Sequence, residues 1–357
     1  MSRHRVVTLL LVAFALGCSP KGAPPSEPPD ESTAPSDPIE HAQQLIEQGK
    51  PDQAQAVVEQ ALAERPDDAE LWFSKGVAQR AQGQAEAAVQ SWEQALSLDP
   101  ELVAARHGIA AIRLEAGDYP AAIEAYVAIL QLEPDFKDAH YNLGLALLAQ
   151  GETEKAKAAL QNAHRLDPED PDVAVELGRL YALEGKLAEA VELIGPAAAK
   201  ATDDPGIQST YGWLLERLGR YAEAASAFET AVRLRPEDDD ARLGLARSWL
   251  RTGRAEQVQQ AATELEAIAG RRPDDPAVWL AWGSALGKLG QADAAVDKLD
   301  RAIELVPELQ SAHVQKIGSL VLAGRCAEAK QANKVLQRLR PSDRAKRAAK
   351  AALTPCR

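Results

Sequence analysis

Gly49, Gly83, Gly117, Gly151, Gly185, Gly219 and Gly253 stand 34 residues apart; Gly290 follows after 37 and Gly324 after another 34. Prolines keep the same interval at Pro66, Pro100, Pro134, Pro168, Pro236, Pro273, Pro307 and Pro341, with Thr202 in the one vacant place. A period of this length marks stacked copies of one supersecondary unit and constrains the fold more than composition does. The segment between Gly and Pro recurs nearly verbatim, as "GQAEAAVQSWEQALSLDP" at 83–100, "GRYAEAASAFETAVRLRP" at 219–236 and "GQADAAVDKLDRAIELVP" at 290–307. Each Gly separates two stretches of helical periodicity, where a tight turn needs positive φ, and each Pro ends the second stretch. Ala88, Ala122, Ala156, Ala190, Ala224 and Ala295 precede Ala95, Ile129, Ala163, Ala197, Ala231 and Ala302 by seven residues. Small residues at that spacing let two antiparallel helices approach closely. One such pair has too little core to stand alone, so neighbours must stack and share one. The scarcity of β-branched and aromatic residues points the same way, to an all-α chain.

Read unit by unit, these residues resemble the tetratricopeptide repeat family. Trp72, Gly76, Ala88, Trp92, Ala95 and Pro100 fit its motif, as do Leu143, Gly144, Ala156, Ala163 and Pro168. Leu177, Gly178, Tyr181, Ala190 and Ala197 continue it, then Gly212, Ala224, Phe228, Ala231 and Pro236, then Trp279, Gly283, Ala295, Ala302 and Pro307. The resemblance implies a right-handed superhelical α-solenoid of about nine helix pairs over residues 39–343, closed by a basic capping helix and tail over 344–357. Unit seven carries three extra residues around "VQQAATELEAIAGRRP", expected to lengthen its second helix or the turn after it. Unit nine is weaker, with Asn333 where an aromatic or Leu belongs.

The first residues follow another logic. Arg3 and Arg5 precede an apolar run from Val6 to Leu16 and then Gly17-Cys18. The run is too short to span a bilayer as a folded helix but suits the core of a signal peptide. A small residue before Cys resembles the bacterial lipobox, which implies a leader at 1–17 and a lipid on Cys18. Ala15 stands where that motif most often has Leu. Residues 18–38 contain seven prolines and no large apolar residue, the composition of an extended tether. Loss of residues 1–17 removes two Arg and no acid, taking the formal charge from −13 to −15. That acidity argues against nucleic acid as a partner. The expected location is the cell envelope, on an outer membrane and facing the periplasm.

Motifs for catalysis and cofactors are missing. The six histidines make no two-His helical metal motif, no Cys pair has zinc-like spacing, and phosphate loops and nucleophile elbows are lacking. Neither enzyme chemistry, a metal nor a cofactor is expected. Runs such as "RPEDDDA" read as solvated turns between units.

Binding is the class left standing. In the resembled family the first helix of each unit lines a concave face that holds extended or helical partner segments. The positions implied to face it include Phe73, Arg80, His107, Tyr141, Asn142, Arg179, Trp213, Arg217, Arg247 and Arg251. Trp72, Trp92, Trp249, Trp279 and Trp282 fall on packing positions instead, whereas Trp213 stands where the resemblance implies a groove-facing residue, either as an interaction anchor or as a wedge between adjacent first helices. The arginines form a broken positive stripe in an acidic protein, suited to carboxylates. Asp172, Asp240 and Glu216 are placed to neutralise some of them. Of a carboxylate clamp known in the family, only Asn142 and Arg179 match; His107 and Val175 stand where Lys is needed.

Residues 325–357 contain ten Lys or Arg and two acids, a net of +8, which suits an exposed capping helix or contact with an anionic surface or another copy. Cys326 and Cys356 are expected to pair in an oxidising compartment, stapling that helix. The expectation for the whole is a membrane-anchored scaffold that binds other envelope proteins, with no nucleic acid and with homo-oligomers left open. Assembly of a pilus or secretin is a narrower version. A glycan- or peptidoglycan-binding module, with Trp213 and Tyr141 as sugar platforms, is the alternative.

Overall fold

The computed structural model describes residues 37–356. The leader, Cys18 and nearly all of the tether therefore lie outside the described residues. The chain divides into two compact units, one ending at Pro168 and the other beginning at Glu169.

The first unit holds four helix pairs: α1 (Pro38–Glu47) with α2 (Pro51–Glu64), α3 (Ala69–Ala81) with α4 (Ala85–Leu98), α5 (Val103–Glu115) with α6 (Tyr119–Leu132), and α7 (Lys137–Ala149) with α8 (Thr153–Leu166). The second holds five: α9 (Pro171–Leu183) with α10 (Leu187–Lys200), α11 (Pro205–Leu218) with α12 (Tyr221–Leu234), α13 (Asp239–Thr252) with α14 (Ala255–Arg271), α15 (Pro276–Lys288) with α16 (Ala292–Leu305), and α17 (Gln310–Leu322) with α18 (Cys326–Arg338). A last helix, α19 (Asp343–Ala352), packs on α17. The described residues contain helices and no strands. Within each unit a helix packs on its pair-mate and each second helix on the first helix that follows, so each unit is a solenoid of stacked pairs. The three extra residues of unit seven lengthen α14 to 17 residues, nearly one added turn over the usual 14.

Local chemistry sets these boundaries. All nine phased glycines have φ between 72° and 86°, a region where a Cβ is costly. At Gly83 the turn closes through Gly83 N donating to Arg80 O and Gln84 N to Gln79 O, the paired bonds of a helix stop. Asp68, Asp170, Asp204 and Asp238 each cap the following helix by accepting from backbone N–H groups two and three residues on. The three aspartates at 238–240 are thus committed: Asp238 caps α13, Asp239 pairs with Arg271 and Asp240 with Arg272 at 2.6 Å.

The phased prolines have a second use, since each leaves a carbonyl to be satisfied. Trp72 Nε1 donates to Pro66 O and Trp279 Nε1 to Pro273 O, both at 2.8 Å. Arg106 donates to Pro100 O at 2.7 Å, and Arg242 reaches Pro236 O at 3.4 Å. His140 and His313 place Nε2 2.8 Å from Pro134 O and Pro307 O. A carbonyl only accepts, so those nitrogens carry the proton. Trp, Arg and His are interchangeable here because each donates an N–H six residues after the proline.

The core depends on close approach. A methyl at Gly76 would fall 2.3 Å from the Trp92 indole, and one at Gly108 2.7 Å from its other edge, so the fully buried Trp92 lies between two bare stretches of backbone. Phe228 is held the same way between Gly212 and Gly244, at 3.1 and 2.5 Å. Leu160, Ile194 and Leu299 take the equivalent place against Gly144, Gly178 and Gly283. At the far end Cys326 and Cys356 form a disulfide with Cα atoms 5.4 Å apart, tying the segment after α19 to the start of α18. Across a sequence separation of 30 residues such a link stabilises by about 3–4 kcal/mol through loop entropy.

Gly108→Ala and Gly244→Ala are each expected to lower stability by about 1–3 kcal/mol through overpacking, read as a fall in thermal midpoint. Trp92→Leu should restore much of the loss in the Gly108→Ala background. Independent, additive effects of those two changes would show that the ring is not what excludes the methyl.

Candidate functional site

In the second unit the first helices α9, α11, α13, α15 and α17 are successive neighbours, and three adjoining recesses run along them. The first, about 640 Å³, is lined by Arg179, Leu183, Ser209, Thr210, Trp213 and Arg247 among others. The second, about 480 Å³, has Arg217, Tyr221, Arg251, Ser284 and Gln315 over a floor of Leu250, Leu280 and Ala281. Glu216 and Arg247 belong to both. The third, about 340 Å³, shares Ser284 and Gln315 with the second and adds Lys288 and Leu322. Together they make one groove.

Four residues that the repeat register singles out meet around Glu216. Arg247 pairs with its carboxylate at 2.7 Å, and the Glu216 side chain is only 10% exposed. Arg251 lies 4.8 Å from the centre of the Tyr221 ring and donates to its hydroxyl at 2.9 Å. Arg217 lies 4.7 Å from the Trp213 ring. Trp213 remains 41% exposed, so it is not consumed by packing. Arg179 stands in the first recess, paired with Glu176 at 2.8 Å and donating to Thr210 Oγ1 at 3.3 Å. Cation–π contacts of this kind fix a guanidinium without cancelling its charge.

Burial holds the Glu216 carboxyl above the ordinary carboxylate range, against the pull of Arg247 and Arg251. It acts on Glu176 in the same direction, opposed by Arg179 and aided by Asp172. Asp240 is held by Arg272 rather than by a groove arginine. Among the described residues no cluster of three His, Cys, Asp or Glu is arranged to hold a metal ion.

The remaining register positions lie in the first unit. Phe73 is half-buried and stacks on Trp92 with centroids 6.4 Å apart, and Arg80 pairs with Glu115. His107, Tyr141 and Asn142 are buried. The His107 ring meets Tyr126 and Phe136 edge-on at 5.9 and 5.3 Å, and Asn142 Nδ2 is 3.4 Å from His107 Nε2. Burial lowers the His107 pKa and pushes the Tyr126 hydroxyl above its usual range. All three are closed off from the surface, His107 beside the Tyr126 and Phe136 rings. Lys288, Leu183, Leu322 and Gln315 enter the site without having been singled out in the sequence. For Lys288 the signal was available once the three-residue insertion is allowed for, since it stands 37 residues after Arg251.

Because Glu216 ionises in the folded state only above the ordinary 4.5, its charge costs stability at neutral pH and nothing below the unfolded value. Glu216→Gln is expected to unfold at the same or a higher temperature than the parent at pH 7. The gap should close as pH falls below about 4.5. A variant less stable by the same margin at pH 7 and pH 4 would mean that the bond to Arg247 outweighs burial.

Residues 39–102 match one model of the tetratricopeptide repeat, and residues 113–161, 147–214 and 215–289 match a second. Among solved structures the chain is similar to pilF of Pseudomonas aeruginosa, at 21% identity over 57% of this chain and 93% of that one, with a TM-score of 0.54. It is also similar to YrrB, described as a TPR protein with an unusual peptide-binding site, at 21% identity over 52% and 95% of the two chains (TM-score 0.44). A third is a tetratricopeptide repeat protein from Parabacteroides merdae, at 16% identity over 74% and 100% (TM-score 0.47). No curated protein matches the chain.

Proposed function

The chain belongs to the tetratricopeptide repeat family, and from that premise we propose that it is a scaffold whose second unit grips a segment of another envelope protein. The observation that carries this reading is the groove: three adjoining recesses on consecutive first helices, with Trp213 41% exposed among arginines over an apolar floor. An exposed indole beside guanidinium groups is the chemistry of an interaction anchor. Sugar recognition has less support, because Tyr141, the second aromatic it calls on, is 4% exposed and lies in the first unit. Anchoring is the other half of the proposal. Arg3, Arg5, the apolar run and Gly17-Cys18 fit a lipoprotein leader, and the proline-rich segment after it supplies reach. The likeness to pilF shows a shared fold, and the proposal names no particular assembly.

A photo-crosslinking residue at position 213 in intact cells is expected to capture discrete protein partners. The same residue at position 260, exposed on α14, should not. Identical patterns from both positions would remove the groove from the account. For the anchor, Cys18→Ser should move the protein from the membrane to the soluble fraction; retention in the membrane by the variant would refute lipidation there.

A further inference from the structure

The last residue or two of each first helix in the second unit stand at the mouth of the groove. In α9, α11, α13, α15 and α17 the equivalent place is held by Leu183, Arg217, Arg251, Lys288 and Leu322, spaced 34, 34, 37 and 34 residues apart. All five line the adjoining recesses. Leu183 and Leu322 are 77% and 59% exposed, more than any other large apolar side chain among the described residues. Between them stand three exposed cations, and among the described residues none of the three has a carboxylate as ion-pair partner. Their neighbours differ: Arg179 is bound to Glu176 and Arg247 to Glu216. Arg217 and Arg251 rest on aromatic rings instead, oriented and with their charge intact. Gln315 lines both the second and the third recess, which joins the two.

We propose that this groove takes an extended acidic peptide segment of its partner, with three carboxylates flanked by two apolar side chains. The assignment rests on the reading of the groove as a partner site. Three positive positions in register with an apolar position at each end select a ligand of the complementary order. Adjacent packed helices lie about 8–10 Å apart. A polyproline-II segment advances about 9 Å per turn of three residues and shows every third side chain on one face. Carboxylates at every third residue therefore match successive helices, and a segment of roughly thirteen residues spans all five. A single terminal carboxylate would answer one cation of three, and a phosphate polymer would answer neither leucine.

The probe is a synthetic thirteen-residue peptide, acetylated and amidated, with Leu at both ends and Glu at every third place between. A second peptide has Lys for Glu. Binding of each to the full chain is read by fluorescence anisotropy. The Glu peptide is expected to bind about tenfold or more tighter than the Lys peptide at low ionic strength and to weaken as salt rises. The triple variant R217E, R251E and K288E should reverse the preference while keeping the parent's far-UV circular dichroism. Equal binding of the two peptides overturns the proposal, as does a preference that survives the triple variant. So does a preference seen only with a free carboxy-terminus, or displacement by inorganic polyphosphate as effective as by the Glu peptide. If position 213 captures partners while the peptides show no preference, the acidic assignment alone falls. If position 213 captures nothing beyond the position 260 control, the groove reading falls with it.

Discussion

A large side chain on the second helix of a pair presses against bare backbone on the facing first helix, and the remaining geometry follows from that approach. At Trp92 the contact is two-sided: Gly76 lies on one edge of the indole and Gly108, from the next pair, on the other. Phe228 repeats it with Gly212 and Gly244. One ring then belongs to two pairs, so the interface between repeats is as close as the interface within one. This is the physical content of a shared core, because neither pair buries that ring alone.

The same contact decides what the groove has to work with. Gly108 and Gly244 sit sixteen residues after Trp92 and Phe228, and at the equivalent places after Ile194 and Leu299 stand Thr210 and Gln315. At Trp92 and Phe228 the first helix gives up its side chain to make room, but buried Tyr126 is followed at the same interval by Asn142, so size alone does not decide. Thr210 uses its hydroxyl to accept from Arg179, and Gln315 lines the second and third recesses. Thr210, Gly244 and Gln315 stand at one repeat position and all line the recesses, so a change made there for packing alters the binding surface as well.

Much of the fold was legible because its punctuation is chemical. A glycine at positive φ and a proline after a helix leave marks that recur whatever lies between, and the three extra residues of unit seven become almost one turn of α14. The site was legible only in direction. Register tells which way His107, Tyr141 and Asn142 leave their helices, but not that Tyr126 and Phe136 rise beside His107 and bury it. Arg217, Arg247 and Arg251 come together as the register implies, while their partners do not follow from it. Trp213, Tyr221 and Glu216 each take one arginine by a different interaction. Lys288 escaped notice because the inserted turn displaces it by three residues from the regular count.

Charge distribution gives the last step. The loops between repeats consume acids systematically: aspartates cap the first helices, and others reach to the second helix of the following pair, as Asp239 and Asp240 do with Arg271 and Arg272. Those ties are exposed and individually worth little, yet they occupy the carboxylates nearest the turns. Of the acids that line the groove, Asp238 caps α13, Asp240 pairs with Arg272, and burial makes Glu216 reluctant to ionise, as it does Glu176 beside Arg179. An acidic chain thereby keeps a positive surface in a place where its own acids are few, costly to charge, or bound elsewhere. The sign of that surface is a property of the interior packing, not of the composition, and it persists only while the close-packed first helices hold their arginines on Trp213 and Tyr221.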